Sequence, residues 1–342
     1  VEDIFLCKKK HHFMSMNVSI IICTADKPES LAATLDSLSK LELPVGMDVE
    51  LIVVDNRPET ARSTVDAADL KNMSVHYVQE AKRGLSNARN TGIANSTGEI
   101  LIFTDDDLRF PANWVQALIE PITTNSADAV AGTVRMADHL RRDWMTTYHR
   151  ICFAEMLEPL GGSFELVGAN MAFHRRVLNR VPEFDVELGA GALGFCEESF
   201  FSVRLRDAGY RVVMNTNAEL THHFDPSRLL RSSMLKHSEQ LGRSCAFVDY
   251  HWGHSNLSAP YLRRLRKSIQ IGLRRLRRGK PSPMEEGCEE EALFEVKGWG
   301  FADQYIKESS RPRKYQRPDS KSSGRVGLGT VVTDILTRKS SS

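Results

Sequence analysis

Apolar residues in this chain come in short runs separated by helically spaced repeats. Residues 18–23 form a β-rich apolar run, Leu31, Leu35 and Leu38 follow at helical spacing, and residues 49–54 form a second run of the buried-strand type. Between the two runs, Asp26 can cap the helix and Glu29 can complete a capping box. Residues 75–78 predict a third strand, residues 82–90 a loop and helix, and residues 99–103 another strand. A helix starting near Asn113 or Trp114 and a strand over 129–134 come next. This strand, helix, strand order implies an α/β fold whose parallel sheet is covered by helices. The pattern is less regular beyond residue 134. Phe201, Leu205 and Ala208 restore helical spacing over 198–208 with Gly209 as the stop, residues 211–214 read as the final major strand, and 222–241 as a loop and helix. The character changes at 252–260.

At 342 residues, the chain fits one large domain with an appendage. The expected division is a loose arm at 1–16, a catalytic domain at 17–256 and a basic helical appendage with a flexible tail at 257–342. Hydrophobic residues at 41% and charged residues at 26% describe an ordinary soluble globular protein. The net charge of +1 argues against wholesale adhesion to nucleic acid. Local charge is uneven, because residues 263–280 are densely basic while 285–291 are acidic except for Gly287 and Cys288. Six scattered cysteines without a Cys-x-x-Cys pair disfavour a zinc knuckle or a disulfide scaffold. No apolar run approaches the roughly 20 residues that span a bilayer, and the start lacks the order of a signal peptide. The cytoplasm is therefore the expected compartment.

The chemistry-bearing residues gather at predicted strand ends. Thr104-Asp105-Asp106-Asp107 follows an apolar strand, where open α/β sheets place ligands. In extended chain Asp105 and Asp107 point the same way and can share a divalent cation, with Asp106 facing elsewhere. An acidic surface turn is the bland alternative. Asp55, at the end of another apolar strand, can accept hydrogen bonds from a base or ribose, or simply shape a turn. Thr24 can line the same pocket. Arg83 and Lys82 can offset diphosphate charge unless they form a solvated turn. Glu197-Glu198 opens a helix, whose dipole favours a carboxylate anion suited to act as a base, or whose end they merely cap. His222 or His223 can join a metal or a diphosphate, but adjacent histidines alternate direction, so both as ligands is not expected. Trp144, Trp252 and Trp299 are read as packing residues.

The order of these segments resembles the inverting glycosyltransferases of family 2, with the GT-A fold. The resemblance rests on Val18-Ser19-Ile20-Ile21-Ile22-Cys23-Thr24, Leu51-Ile52-Val53-Val54-Asp55-Asn56, Arg83-Gly84-Leu85-Ser86-Asn87-Ala88-Arg89-Asn90 and Ile102-Phe103-Thr104-Asp105-Asp106-Asp107. Gly168-Ala169-Asn170-Met171-Ala172-Phe173 and Glu197-Glu198 with Arg204-Leu205-Arg206-Asp207-Ala208-Gly209-Tyr210 complete it over 18–210. It implies a Rossmann-like nucleotide-binding half, a mixed central sheet and a helical C-terminal appendage. It further implies that Thr24, Asp55 and Arg83 hold the nucleotide, with Asp107 the principal ligand of Mn2+ or Mg2+ and Asp105 assisting near ribose and phosphate. Gly168 through Asn170 would line the donor and acceptor cleft, and His222 would stand near the diphosphate. Where the family has Glu then Asp, this chain has Glu197-Glu198, so Glu198 matches the base and Glu197 is the alternate.

The implied reaction is a single displacement that moves a sugar from a nucleotide diphosphate sugar to a saccharide or lipid-linked acceptor, in surface polysaccharide or glycolipid synthesis. A nucleotidyltransferase would need a Gly-rich first loop that Thr24-Ala25-Asp26-Lys27-Pro28 lacks. A glycosidase needs no nucleotide clamp, and a non-catalytic carbohydrate-binding protein is the remaining alternative. In the basic segment, Leu262, Leu265, Ile269, Leu273 and Leu276 project as one narrow apolar stripe on a helix. That pattern suits an anionic membrane surface contacted through residues 262–280, with the protein peripheral on the inner face of the cell membrane. The competing expectation is a stripe packed on the catalytic domain, with the basic face solvated or paired near Glu289. Functional nucleic-acid binding is not expected.

Overall fold

Strands β1 (Val18–Thr24), β2 (Val49–Asp55), β3 (Ser74–Gln79) and β4 (Ile100–Asp105) pair in parallel. In the computed structural model, residues 16–25, 27–57, 70, 73–158, 165–278 and 282–316 are described. The arm at 1–15, Asp26 and the tail from 317 lie outside the described residues. Ile20, Ile21, Ile22, Leu51, Ile52 and Ile102 are fully buried, as expected of strands covered on both faces. Register sets Thr24 beside Asp55 and Cys23 beside Asp105, so three polar strand ends meet at one edge of the sheet. Helix α1 (Pro28–Leu38) buries Leu31, Leu35 and Leu38. Lys27, not Asp26, occupies its capping position without a side-chain bond, and Pro28 starts the helix where its missing N–H is harmless.

The second half departs from an all-parallel sheet. Helix α2 (Leu85–Ala94), the two-residue strand β5 (Leu108–Arg109) and helix α3 (Trp114–Thr123) precede β6 (Ala129–Met136), α4 (Thr147–Cys152) and β7 (Asn170–His174). Helix α5 (Glu197–Asp207) and strand β8 (Val212–His222) follow. The sheet order is β3-β2-β1-β4-β7-β6-β8-β5, with β7 antiparallel to both β4 and β6. The predicted strand at 211–214 is only the start of β8, which runs on to place His222 inside the sheet. The β6–β8 register jumps between Gly132 and Thr133, from Asn215 to Glu219. That irregularity breaks the period of two along polar residues 215–217 and hides the second half of the strand from pattern reading.

Helices α6 (Arg231–His251), α7 (Pro260–Arg278) and α8 (Glu290–Glu308) close the described chain. Helix α8 packs backbone-close on α6. A Cβ on Gly242 would lie 2.1 Å from the Lys297 carbonyl oxygen, and one on Gly300 would lie 2.4 Å from that of Glu239. The buried pair His251 Nε2 to Glu308 Oε2, at 3.0 Å, joins the same two helices. Leu293 and Ala292 of α8 share an apolar cluster with Met136 of β6 and Phe153 and Phe224.

Candidate functional site

A cleft of about 680 Å³ opens beside the carboxyl end of β4. Of the residues singled out from sequence, Arg83, Asp105, Gly168, Glu197, Glu198 and His222 line it. The walls also include Arg89, which stood in a quoted motif without a role, and Glu165, Arg228, Lys236 and His237, which stood in none.

The three aspartates do not follow the alternation expected of extended chain, because β4 ends at Asp105 and the backbone turns there. Asp106 is buried and bound, accepting from Thr24 Oγ1 at 2.6 Å and from Lys27 Nζ at 3.2 Å. Thr24 thus orients an aspartate. Lys27 also reaches Asp107 Oδ2 at 3.2 Å. Burial pushes Asp105 and Asp106 above the usual carboxylate range, opposed chiefly by Arg89 for the first and Lys27 for the second. Burial also pushes Asp107 up, but adjoining His222, Lys27 and Arg228 outweigh it and hold that carboxyl well below its usual range.

Asp107 Oδ1 lies 3.2 Å from His222 Nε2, yet receives no aligned hydrogen bond. His222 Nδ1 lies 3.1 Å from the Phe153 carbonyl oxygen, which selects the tautomer protonated at Nδ1. A ring that also carries a proton on Nε2 is the cation that holds Asp107 low, whereas the neutral ring turns a lone pair toward a carboxylate oxygen. A divalent cation resolves such a contact, and a nitrogen and oxygen donor set suits Mn2+ or Mg2+. The expected trio is not complete: among the described residues, no three His, Cys, Asp or Glu side chains stand close enough to share one ion. Asp107 and His222 fit an ion as a pair, with Asp105 on the cleft wall beside them.

Asn56 holds the Arg83 loop, donating to the Glu80 and Lys82 carbonyls at 2.9 Å and accepting from Gly84 N at 2.8 Å. Arg83 is left exposed at the cleft. Asp55 is buried and bound by Arg57, with Nη2 to Oδ2 at 2.6 Å, and by the Tyr77 hydroxyl. Gly168 is needed by a neighbour, since a Cβ there would lie 2.5 Å from Arg89 Nη2. Asn170 has a different task from the expected one. It is fully buried, accepts from Trp114 Nε1 at 3.0 Å and donates to the Thr133 and Ala218 carbonyls at 2.8 Å, so its polar atoms clasp the sheet and do not line the cleft.

The α5 start is built by the loop before it. Leu85 N donates to the Ala190 carbonyl and Ser86 Oγ to the Leu188 carbonyl, both at 2.8 Å, pinning this loop to α2. Gly191, at φ +88°, permits the close pass, since a Cβ there would meet Gly84 Cα at 3.0 Å. Glu197 Oε1 accepts from Arg89 Nη1 at 2.9 Å, a buried pair. Glu198 Oε2 is buried without a hydrogen-bond partner. Burial and the neighbouring Glu197 carboxylate push Glu198 up to about 8, and Arg89 opposes them. The dipole and N–H groups expected to keep it charged are too weak to offset this desolvation.

Glycosyl transferase family 2 matches residues 19–181, a span that holds Thr24, Asp55, Arg83, Asp105, Asp107 and Gly168. That span of the chain belongs to this family. The mixed sheet with its parallel nucleotide-side half and helical C-terminal region is the GT-A arrangement expected of a family 2 glycosyltransferase. It is 27% identical over 223 residues to a glucosyl-dolichyl phosphate glucuronosyltransferase of Haloferax volcanii, covering 60% of this chain and 69% of that one. With the succinoglycan biosynthesis protein ExoM of Rhizobium meliloti it shares 37% identity over 35% of this chain and 40% of that one. With glycosyltransferase AglE of Haloferax volcanii the identity is 26% over 56% and 62%. The chain thus spans less than two thirds of the length of the latter two relatives.

In this glycosyltransferase, Glu197, Glu198, His222, Arg228 and Lys236 lie beyond the family match. Arg228 lies 5.1 Å from the Phe224 ring centroid, and burial lowers its pKa. Its position near His222 in sequence was the available signal. Burial, then the charge of Arg228, pulls His237 down to about 3, so this imidazole is neutral. His223 instead meets His139 at a tilt, with ring centroids 5.4 Å apart. The tryptophans pack: Trp252 meets Phe200, Trp144 meets His149, and Trp299 donates to Ser268 Oγ.

Proposed function

We propose metal-assisted, inverting transfer of a sugar from a nucleoside diphosphate donor to a hydroxyl of a saccharide or lipid-linked acceptor. One observation carries the reading: a single cleft brings Glu198, whose Oε2 has no hydrogen-bond partner, together with Asp105, His222, Arg83 and Arg228. Asp107 and His222 would hold Mn2+ or Mg2+, with Asp105 assisting near ribose and phosphate. The ion would supply positive charge to the departing diphosphate. Arg83, Arg228 and Lys236 would add to that charge from the cleft walls, and Asp55 with Thr24 would serve the nucleotide side. Asn170 is left out of the proposed site.

Glu198 would take the proton of the acceptor hydroxyl as its oxygen bonds to the anomeric carbon and the bond to the phosphate oxygen breaks. Glu197 supports this choice by being committed to Arg89. A carboxyl raised to about 8 is charged only above that pH. The pH profile of kcat/KM should therefore rise about tenfold per unit below the pKa and level off above it. A profile already flat from pH 6 would remove Glu198 from the role.

The relatives' names support the setting, since one acts on a dolichyl phosphate-linked sugar and another serves succinoglycan biosynthesis. The proposed place is surface polysaccharide or glycolipid assembly in the cytoplasm, peripheral on the inner face of the membrane. Residues 17–256 would form the catalytic domain, with a basic helical appendage beginning at 257. A thermal-shift screen of sugar nucleotides with and without Mn2+ tests the donor and metal reading. A cognate donor at a hundred times its Kd stabilises by about 2.7 kcal/mol, and the shift should require the ion. Failure of every nucleotide to shift the transition, with or without metal, would overturn the reading.

A further inference from the structure

Helix α7 turns its polar side inward and its apolar side out. Arg264 Nη1 bonds Asp303 Oδ1 at 3.0 Å, Arg274 Nε bonds Glu295 Oε2 at 2.8 Å, and Trp299 Nε1 donates to Ser268 Oγ at 3.1 Å, all across the contact with α8. Leu262, Leu265, Ile269, Leu273 and Leu276 face the other way, 45% exposed at Leu273 and 82% at Leu276. On a helical projection, this stripe spans roughly 80° and centres nearly opposite the α8 contact. The expectation that the stripe packs on the catalytic domain is thus not met. Beside the stripe stand Arg266 and Arg277, both exposed and without an acidic partner among the described residues.

We propose that α7 lies flat in the headgroup region of an anionic lipid bilayer, the stripe entering the acyl boundary and Arg266, Arg277 and Arg263 contacting lipid phosphates. Arg264 and Arg274 are neutralised by α8, while Arg266 and Arg277 keep their charge at the rim of the apolar face, where a headgroup lies. A helix of 19 residues is roughly 28 Å long, enough to hold the protein parallel to the surface, and no described helix is long and apolar enough to cross a membrane. The inference rests on the lipid-linked acceptor reading only for its purpose. Binding itself is independent of catalysis.

The test is sedimentation of the full chain with vesicles of phosphatidylcholine alone or mixed with phosphatidylglycerol, over a salt series. Wild type should bind the mixed vesicles and release with salt. The double variant Arg266→Ser with Arg277→Ser should bind more weakly, by about fivefold per charge removed. Leu265→Ser with Ile269→Ser and Leu273→Ser should lose binding even at low salt, and its side chains are exposed, so the fold should survive. Wild-type binding to neither vesicle overturns the proposal, as does binding that is unaffected by the leucine and isoleucine changes, since that pattern describes a polyanion site. A dimer in sedimentation velocity that the stripe variant abolishes would assign the face to a second copy of the chain and overturn it too. Donor hydrolysis with Mn2+, measured on the same preparations without vesicles, separates failure here from failure of the catalytic reading.

Discussion

Glu198→Gln is expected to lower sugar transfer by about 10²–10⁴-fold while the fold and donor binding persist. The amide keeps the shape of the side chain but cannot take a proton from the acceptor hydroxyl. The carboxyl it replaces is unpartnered at Oε2 and faces the cleft, so little structure depends on it. The neighbouring change should behave differently. Glu197→Gln removes the charge that balances buried Arg89, and breaking such a pair costs about 3–5 kcal/mol. Its signature is therefore a lowered Tm, with any loss of rate following from misplacement of α5. Comparing kcat with Tm for the two variants decides the assignment. Near wild-type turnover in Glu198→Gln would exclude it as the base, and a rate loss confined to Glu197→Gln at unchanged Tm would transfer the role.

The second large effect is expected at Asp107. Its carboxylate is held low by His222, Lys27 and Arg228 nearby, and its Oδ1 lies 3.2 Å from His222 Nε2. Asp107→Ala should reduce kcat by about 10²–10³-fold, the scale seen when one preorganised electrostatic group is lost. It should also remove the Mn2+ dependence of nucleotide stabilisation, because the pair left behind is a single imidazole. Asp106→Ala supplies the contrast. That carboxylate is engaged by Thr24 and Lys27, so its loss should lower Tm through the turn while the metal dependence stays. Full transfer by metal-free wild-type protein in excess chelator would remove the ion from the mechanism, and equal metal dependence in Asp107→Ala would move the ion elsewhere.

The sequence by itself determined the frame of the nucleotide side. Largely apolar runs at 18–23, 49–54 and 99–103 have one low-energy use, as strands buried on both faces, and their polar ends Thr24, Asp55 and Asp105 then meet at one edge. Local chemistry also located the start of α5 and its two glutamates. The later half was less legible, because β7 runs antiparallel between strands distant in sequence and β8 breaks its alternation at an irregularity in pairing. No periodicity records a partner that arrives from elsewhere in the chain.

What each polar residue does was decided by tertiary contacts. Asp106 became a bound structural carboxylate because Thr24 and Lys27 reach it. Asn170 was spent on Trp114 and two backbone carbonyls. Glu197 and Glu198 are alike in type and adjacent, yet a guanidinium from α2 neutralises one and burial raises the other. The stripe on α7 shows the same division. Leucines at helical spacing specify an amphipathic helix, but which face is left to solvent depended on the carboxylates of Glu295 and Asp303 drawing the basic side inward. Spacing along one element sets which side chains share a face; long-range ion pairs and desolvation set where that face points and which of its charges remain.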